Sequence, residues 1–452
     1  MNKDTIAIIT EVQKYANEIA GKKVPRQLVE NGIFFTMSSI SGMNRLRFIG
    51  MNGKEQYANF FGVSIADSGV GKDTALKAAY GMFEKQLSRY PEIVKNNFES
   101  LNQVLPTGEK LNALTDFIVP TSYSFPLRGS VEGMMRAGNF YNRTSIGSLN
   151  VISTEFGSEY NPEVLPILTT LWQDAKADGS TNVNEKYPPI NDVPTNTLLF
   201  GAASAFHKND KKHAYLSEAI ESGFARRCNF VWVEAGQIET YTYEKSIIDS
   251  LQDYASQVIH NMQEIEIVKM ENDAKEEIKA YLNELIAENN KGPSNWTGIK
   301  VSSVDKVQRL SALIAILDVS KTISASHMRY AIQLNEESFE AMRFILSPHS
   351  QYKIMYNILS TEEELSQTEF IDYGVKIKTK ADWEYQLELL EDLAYRKNMV
   401  IKKRGKKVML RKLPSNNLKQ MIVSTSVNNP VDQRRPRLGD HHEWRKYIIK
   451  LY

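Results

Sequence analysis

A glycine-containing loop between an apolar stretch and a helical pattern is the part of the sequence whose residue types point most directly to chemistry. Residues 60–65 are apolar, 66–74 spell ADSGVGKDT, and a helical pattern begins at Ala75. Gly69 and Gly71 let backbone N–H groups curl round phosphate oxygens, and the N-terminus of a helix favours an anion. Lys72 is positioned to reach the outer phosphates of a nucleotide. The residues predicted to bind the nucleotide are Asp67, Ser68, Gly69, Val70, Gly71, Lys72, Asp73 and Thr74.

Two positions of this loop depart from the pattern GxxxxGK[ST] that phosphate-binding loops follow. Ala66 stands at the first glycine, and Asp73 stands where a serine or threonine hydroxyl binds Mg²⁺. A strand-to-helix turn that binds nothing is the alternative interpretation. The apolar strand before the loop and the helix after it favour nucleotide binding, with ATP as the expected ligand and Mg²⁺ as its cation.

A second predicted apolar strand, 148–154, ends in the hydroxyl of Thr154 and is followed by the carboxylate of Glu155. Nucleotide hydrolases of this kind end that strand in two carboxylates, one for the metal's water and one that activates the attacking water. Thr154 stands at the first place, and Glu155 is the predicted catalytic base. We predict that Asp73 supplies the missing metal-facing oxygen, so that Asp73, Thr154 and Glu155 form the metal site. The alternative is a weakened hydrolase.

The elements that must position these residues follow from the apolar pattern. Between about 56 and 240, apolar strands alternate with helical stretches, which is the rhythm of a parallel α/β sheet. The candidate strands are residues 59–65, 148–154, 197–203 and 229–233. Before this core, 1–55 is expected to form a small N-terminal domain with an amphipathic helix and strands near 33–37 and 45–50. After it, 241–347 is predicted to be helical throughout.

A third, small unit is predicted at 348–413, followed by a basic tail at 414–452. Three helical stretches precede two apolar-basic runs joined by Arg404-Gly405, which indicates a β-hairpin and a winged-helix domain. The hairpin carries many cations and no acid, so we expect sequence-tolerant contact with DNA phosphates. The residues predicted to make this contact are Lys402, Lys403, Arg404, Lys406 and Lys407. A protein-docking or merely solvated hairpin is the alternative.

Composition limits the classes of protein that fit. The chain has 452 residues, of which 42% are hydrophobic and 24% charged, as in soluble proteins of two or three domains. Its 55 Lys and Arg balance 54 Asp and Glu, so any nucleic-acid surface must be local. No apolar stretch approaches the ~20 residues of a membrane span, so no membrane contact is expected. The single cysteine, Cys228, excludes a disulfide framework and a thiolate zinc site, and we expect a cytoplasmic protein.

The order of these motifs resembles that of AAA+ ATPases of the phage and plasmid replicative-helicase type, including the helicase halves of phage primase–helicases and minichromosome-maintenance proteins. The likeness runs from about 59 to 335. Within it, 66–74 resembles Walker A and 148–156 resembles Walker B with its catalytic Glu155. The resemblance implies a P-loop AAA+ core with a helical lid. It also assigns Ser204 as the polar sensor, Arg226 or Arg227 as the arginine finger, and Arg309 as a nucleotide-contacting residue of the lid.

The resemblance further implies a ring, in most members a hexamer, with ATP at the subunit interfaces. An arginine of the neighbour would then stabilise the charge that develops on the γ-phosphate. The segment 181–194 lies where the family inserts a pore hairpin, so Lys186 and Tyr187 are candidate DNA contacts through charge and base stacking. An ordinary proline-rich surface loop is the alternative for this segment.

Three functional hypotheses follow. The first is an ATP-dependent, ring-forming DNA helicase or translocase in phage or mobile-element replication, working in the host cytoplasm with other replication proteins. The second is an AAA+ protein that loads or remodels replication proteins without unwinding. The third is a DNA-binding protein whose nucleotide site is purely structural. Unwinding of a forked duplex separates the first from the second, and nucleotide binding without turnover favours the third.

Overall fold

The computed structural model divides the chain into two compact units, Met1–Leu346 and Ser347–Tyr452. The structure describes residues 3–104, 124–126, 131–154, 164–182, 185–187, 189–202, 223–233, 239–241, 247–291, 295–346, 351–362, 364–373, 375, 377, 379–396 and 399–412. The α/β class predicted from the sequence is confirmed, since helices and parallel strands form the first unit together.

The first unit contains helices along its whole described length. They are α1 (Lys3–Ala20), α2 (Arg26–Met43), α3 (Lys72–Met82), α4 (Glu84–Leu87), α5 (Tyr90–Val104), α6 (Val131–Thr144), α7 (Val164–Asp174), α8 (Ile248–Glu264), α9 (Asn272–Lys291), α10 (Asn295–Ser302), α11 (Val304–Leu317) and α12 (Ala325–Leu346). Its strands are β1 (Arg47–Ile49), β2 (Glu55–Tyr57), β3 (Phe61–Ala66), β4 (Phe125–Pro126), β5 (Leu149–Ser153), β6 (Ser180–Asn182), β7 (Glu185–Tyr187), β8 (Thr195–Gly201), β9 (Cys228–Val233), β10 (Ile267–Met270) and β11 (Thr322–Ile323).

The central sheet has the strand order β4-β5-β8-β3-β9, and every neighbouring pair in it is parallel. All four strands predicted for the core are therefore confirmed. Every residue of β3 and β8 is buried, and apolar residues predominate in β3 and in the second half of β8. Because the strands are parallel, the loop after β3 and the chain after β5 and β8 leave the same edge of the sheet.

Helix α2 corrects one sequence prediction, because residues 33–37 are helical and not a strand. Every residue from Leu28 to Gly42 is buried. A run that is buried on all sides has no polar face, so its apolar pattern does not distinguish a helix from a strand. A Cβ at Gly32 would lie 3.1 Å from the carbonyl oxygen of Ala75, so the absence of a side chain there allows α2 to approach α3 closely.

Buried polar groups fix α2 against the sheet. The Asn31 amide donates to the Ser64 hydroxyl at 2.9 Å, and the Asn229 amide donates to the Asn31 side-chain oxygen at 2.8 Å. Ser64 belongs to β3 and Asn229 to β9, so one side chain of α2 holds two adjacent strands in register. Buried amides need such partners because an unpaired one destabilises the fold.

A second sheet, with the order β11-β10-β1-β2, corrects the prediction that 241–347 is helical throughout. Strand β1 pairs in parallel with β10 and antiparallel with β2. Strands β10 and β11 contain only four and two residues, too short to interrupt a helical pattern read over longer windows. The strand predicted near 45–50 and the amphipathic N-terminal helix, α1, are confirmed.

The second unit is a small assembly of helices and a hairpin. Its elements are α13 (Gln351–Thr361), β12 (Leu365–Ser366), α14 (Gln367–Asp372), α15 (Lys380–Arg396), β13 (Met399–Arg404) and β14 (Lys407–Lys412). The strands form an antiparallel sheet in the order β12-β14-β13. Helix α14 begins with a capping box in which the Ser366 hydroxyl and the Glu369 carboxylate each accept a backbone N–H of the other residue. The three predicted helices and the predicted hairpin are confirmed as elements.

Within the described ranges, no helix has both the length and the apolar character needed to cross a bilayer.

Candidate functional site

The glycine loop turns sharply between the end of β3 at Ala66 and the start of α3 at Lys72. Gly69 has φ +81° and Gly71 has φ +103°, both in the left-handed region that favours glycine. Gly71 precedes the first turn of α3, and no side chain of the described residues caps that turn. The first N–H groups of α3 have no partner within a helix, and the helix dipole favours an anion there.

Lys72 lies across the carboxyl ends of two adjacent strands. Its ammonium nitrogen donates to the carbonyl oxygen of Ala66 at 2.5 Å and to that of Gly201, the last residue of β8, at 3.1 Å. Burial lowers the pKa of Lys72 from its usual value, while the nearby carboxylates of Asp73 and Asp67 oppose this shift. Backbone carbonyl dipoles thus hold the Lys72 ammonium above the loop. The charged oxygens of a phosphate are stronger hydrogen-bond acceptors than these carbonyl oxygens.

The other predicted loop residues lie together with Lys72. Asp67, Val70 and Thr74 are half-buried, whereas Ser68 and Asp73 are exposed. Asp73 is the second residue of α3, where a carboxylate interacts well with the helix dipole but repels a bound phosphate. A divalent cation between carboxylate and phosphate removes that repulsion, and carboxylate and hydroxyl oxygens are ligands that Mg²⁺ accepts.

Thr154 is exposed and directly follows β5. Strand β8 lies between β5 and β3, so Thr154 and the glycine loop are separated by about two strand spacings, roughly 10 Å. Glu155 and Ser204, predicted as catalytic base and sensor, lie outside the described residues. In the part of the chain that is described, no group of three or more His, Cys, Asp or Glu side chains could hold a metal.

The two candidate finger arginines lie at the opposite edge of the central sheet. A short 3₁₀ turn, Ala225–Arg227, precedes β9, whose first residue pairs with Phe61 and whose last pairs with Ala66. The length of β9 therefore places Arg226 and Arg227 roughly 17 Å along the strands from the glycine loop. Within the described ranges, neither Arg226 nor Arg227 contacts the loop of its own chain.

The environments of these two arginines differ. Arg227 is 7% exposed, and its guanidinium donates to the carbonyl oxygen of Gly223 at 2.7 Å and to the side-chain oxygen of Gln173 at 3.2 Å. Burial, with the adjacent charge of Arg226, lowers the pKa of Arg227 to about 10. Arg226 is half-buried, so it is the more accessible of the two.

Arg309, predicted to contact nucleotide, lies in the interior of the first unit. Its guanidinium carbon is 4.2 Å from the ring centre of Trp172, and it donates to the Tyr57 carbonyl and, at 3.0 Å, to the Gln56 side chain. Burial lowers the pKa of Arg309 to about 10. Trp172 packs on Phe61 at the start of β3, so Arg309 is placed near the edge of the sheet that lies opposite the glycine loop.

Lys186 and Tyr187 belong to a two-stranded antiparallel ribbon. Lys186 pairs with Thr181 and Tyr187 with Ser180 along β7 and β6. At the base of the ribbon, Asp192 accepts hydrogen bonds from the Arg47 guanidinium at 2.8 Å and the Tyr57 hydroxyl at 2.9 Å. The segment is therefore a hairpin joined at its base to the second sheet.

The five predicted cations of the second unit lie on or beside the turn between β13 and β14. Lys403 pairs with Glu391 at 2.9 Å, and Lys407 lies 3.6 Å from Glu369. The remaining three are exposed, and in the described structure none of them forms an ion pair: Lys402, Arg404 and Lys406. Lys402 and Arg404 alternate with Lys403 along β13, so they share the face of the hairpin that points away from Glu391.

One residue that the sequence analysis did not single out contacts the glycine loop. The ammonium of Lys22 donates to the carbonyl oxygen of Gly69. The two residues are 47 positions apart, and Lys22 stands in a short Gly-Lys-Lys run after α1. Such a run is typical of a solvated turn, so the sequence contains no signal of this contact.

Comparison with known proteins identifies no relative of this chain. Neither a protein-family model nor a curated protein sequence matches the chain.

Proposed function

We propose that this chain is an ATP-dependent, ring-forming DNA translocase or helicase, similar to AAA+ replicative helicases and active in phage or mobile-element replication. The observation that carries the proposal is the position of the Lys72 ammonium over the glycine loop, between the ends of β3 and β8. Ligands of open parallel sheets bind at this edge, and the loop, the helix N-terminus and the cation all favour phosphate.

The metal would be Mg²⁺, and the residues that would hold it are Asp73 and Thr154, with Glu155 as the third member of the set. When bound, the ion neutralises charge on the transferred phosphoryl group. Without Mg²⁺, the carboxylate of Asp73 repels phosphate. Nucleotide binding is therefore expected to depend on Mg²⁺ more strongly than it would if a serine or threonine stood at this position.

The positions of the arginines support a ring. Arg226 precedes β9 and lies at the sheet edge away from the glycine loop, so it serves a phosphate only when a second subunit presents its loop to that edge. Repetition of such a head-to-tail contact gives a cyclic assembly when the rotation between neighbouring subunits closes. We assign the finger role to Arg226, because the guanidinium of Arg227 is already engaged by Gly223 and Gln173. Arg309, being buried, is assigned a structural role.

DNA contact is assigned to two hairpins, each by its own chemistry. In the second unit, the order of helices and strands fits a winged helix, and the exposed Lys402, Arg404 and Lys406 form a local phosphate-binding face. In the first unit, the ribbon that carries Lys186 and Tyr187 offers one cation and one aromatic ring for contact with single-stranded DNA.

The test is the steady-state rate of ATP hydrolysis by the full-length protein, with and without single-stranded DNA. We expect DNA to stimulate turnover, and Lys72→Ala to abolish it. Lys77→Ala is the matched control, because Lys77 is an exposed lysine of the same helix. Its turnover should equal that of the wild type.

Two outcomes contradict parts of the proposal. ATP binding without turnover at any DNA concentration contradicts the motor and favours a structural nucleotide site. DNA-stimulated turnover without unwinding of a forked duplex or displacement of a bound protein block contradicts translocation and favours a loader or remodeller.

A further inference from the structure

We propose that Lys22 is a second phosphate-contacting cation of the nucleotide site. The inference rests on the proposed binding of nucleotide at the glycine loop and adds a residue from outside that loop. The ammonium of Lys22 donates a hydrogen bond to the carbonyl oxygen of Gly69, in the middle of the loop. Lys22 lies two residues beyond the end of α1, so it reaches the loop from a separate part of the chain.

The backbone around Lys22 is held in place on both sides. Lys22 forms a β-bridge with Thr240, in the chain that follows β9. Two side chains of α1 bind the backbone of Val24: the Asn17 oxygen accepts its N–H at 2.6 Å, and the Gln13 amide donates to its carbonyl at 2.8 Å. A cation on such a fixed backbone loses less conformational entropy on binding than one on a free turn.

Alternation of side chains directs Lys22 and Val24 toward the loop and Lys23 away from it. A Cβ placed on Gly71 would lie 3.1 Å from a methyl carbon of Val24, so Val24 packs directly on the turn before α3. Lys23 pairs instead with the Glu239 carboxylate. In extended backbone, residues two apart face the same side, which explains why two adjacent lysines have different partners.

Lys22 and Lys72 thus both bind backbone carbonyl oxygens at the glycine loop. Lys72 contacts the oxygens of Ala66 and Gly201, and Lys22 contacts that of Gly69. A carbonyl oxygen carries only part of a charge, whereas a phosphate oxygen carries a full share of one, so a bound nucleotide is the stronger acceptor. On binding, the Lys22 ammonium exchanges the Gly69 carbonyl for a phosphate oxygen, and no covalent bond changes.

The experiment compares the affinity of the full-length protein for MgATP, MgADP and adenosine by titration calorimetry. Lys22→Ala should weaken ATP binding by about tenfold or more, the usual range for loss of a hydrogen bond to a charged group. Adenosine affinity should not change. Lys23→Ala is the matched control, with the same charge removed one position away, and should bind all three ligands as the wild type does. Lys22→Met, which keeps the aliphatic stem, should reproduce the loss.

The inference is overturned if Lys22→Ala and Lys22→Met bind ATP as tightly as the wild type, or more tightly. Lys22 would then stabilise only the nucleotide-free loop through its hydrogen bond to Gly69. Equal weakening by Lys23→Ala also overturns it, since the effect would then be that of general positive charge. Wild-type protein that binds no nucleotide contradicts the proposed function itself. Loss of binding in Lys72→Ala but not in the Lys22 variants contradicts this inference alone.

Discussion

Mixing two inactive variants tests whether the site is shared between subunits. Arg226 lies roughly 17 Å along the strands from the glycine loop of its own chain, so each site must combine Lys72 of one subunit with Arg226 of the next. Loss of a finger arginine lowers turnover by about 10³-fold or more, and loss of the loop lysine removes the cation proposed to hold the phosphates. Lys72→Ala and Arg226→Ala should therefore both be close to inactive.

In a one-to-one mixture, an intact site requires a Lys72 from an Arg226→Ala subunit beside an Arg226 from a Lys72→Ala subunit. Random assembly in a closed ring gives this arrangement at about one quarter of the interfaces. If the sites act independently, the mixture should recover about one quarter of wild-type turnover, several hundredfold above either parent. Strong coupling between sites lowers the recovery but leaves it above both parents.

The assay is DNA-stimulated ATP hydrolysis as a function of mixing ratio, with subunit exchange followed by native mass spectrometry. Mixing Lys72→Ala with the double variant Lys72→Ala/Arg226→Ala is the matched control, because no combination of these chains restores a site. Mixed rings whose turnover stays at the level of the parents refute the shared site. Arg226→Ala that retains full turnover refutes the assignment of the finger.

Three further predictions concern residues outside the glycine loop. Arg309→Ala should lower the free energy of unfolding by about 3 kcal/mol or more in chemical denaturation, because it leaves buried acceptors unpaired; a change in ATP affinity with unaltered stability would assign Arg309 to the nucleotide instead. Burial lowers the pKa of Lys306 to about 7. Between about pH 7 and 10 the unfolded chain therefore binds more protons than the folded chain. The free energy of unfolding of the wild type should rise with pH in this range, by up to about 1.4 kcal/mol per pH unit. Denaturation at pH 7, 8 and 9 should show this slope in the wild type but not in Lys306→Met, and equal slopes would contradict it. Lys402→Ala/Arg404→Ala should reduce the slope of log affinity for single-stranded DNA against log salt by about 1.4, whereas Lys380→Ala, an exposed cation of α15, should leave it unchanged.

The central sheet could be predicted because most residues of its four predicted strands are apolar and buried, although β8 also contains the buried polar residues Thr195, Asn196 and Thr197. The glycine loop could be predicted because φ values such as +103° at Gly71 restrict the residue type. Helix α2 was misassigned for a related reason, since burial on every side removes the polar face that distinguishes a helix. The apolar pattern predicts which residues are buried, but it does not distinguish a fully buried helix from a fully buried strand.

The long-range contacts of the site could not be predicted. Lys22 is 47 residues from Gly69, and Arg309 is 136 residues from Gln173, whose backbone it binds. A lysine in a turn and an arginine on a helix usually face solvent, and nothing in their local sequence indicates otherwise. Tertiary contacts, such as the packing of Trp172 against Arg309 and the bridge that holds Lys22 beside the loop, determine where these charges lie.

The complete burial of α2 has a consequence for synthesis of the chain. The helix is finished at Met43, but β9, the last strand of the central sheet that it contacts, is complete only at Val233, about 190 residues later. At typical rates of translation this interval is about 10–40 s, during which the sheet that covers the apolar surface of α2 is incomplete. Nascent chains should therefore bind general chaperones through residues 28–42 until Val233 has left the ribosome, and slower translation of 44–233 should increase aggregation.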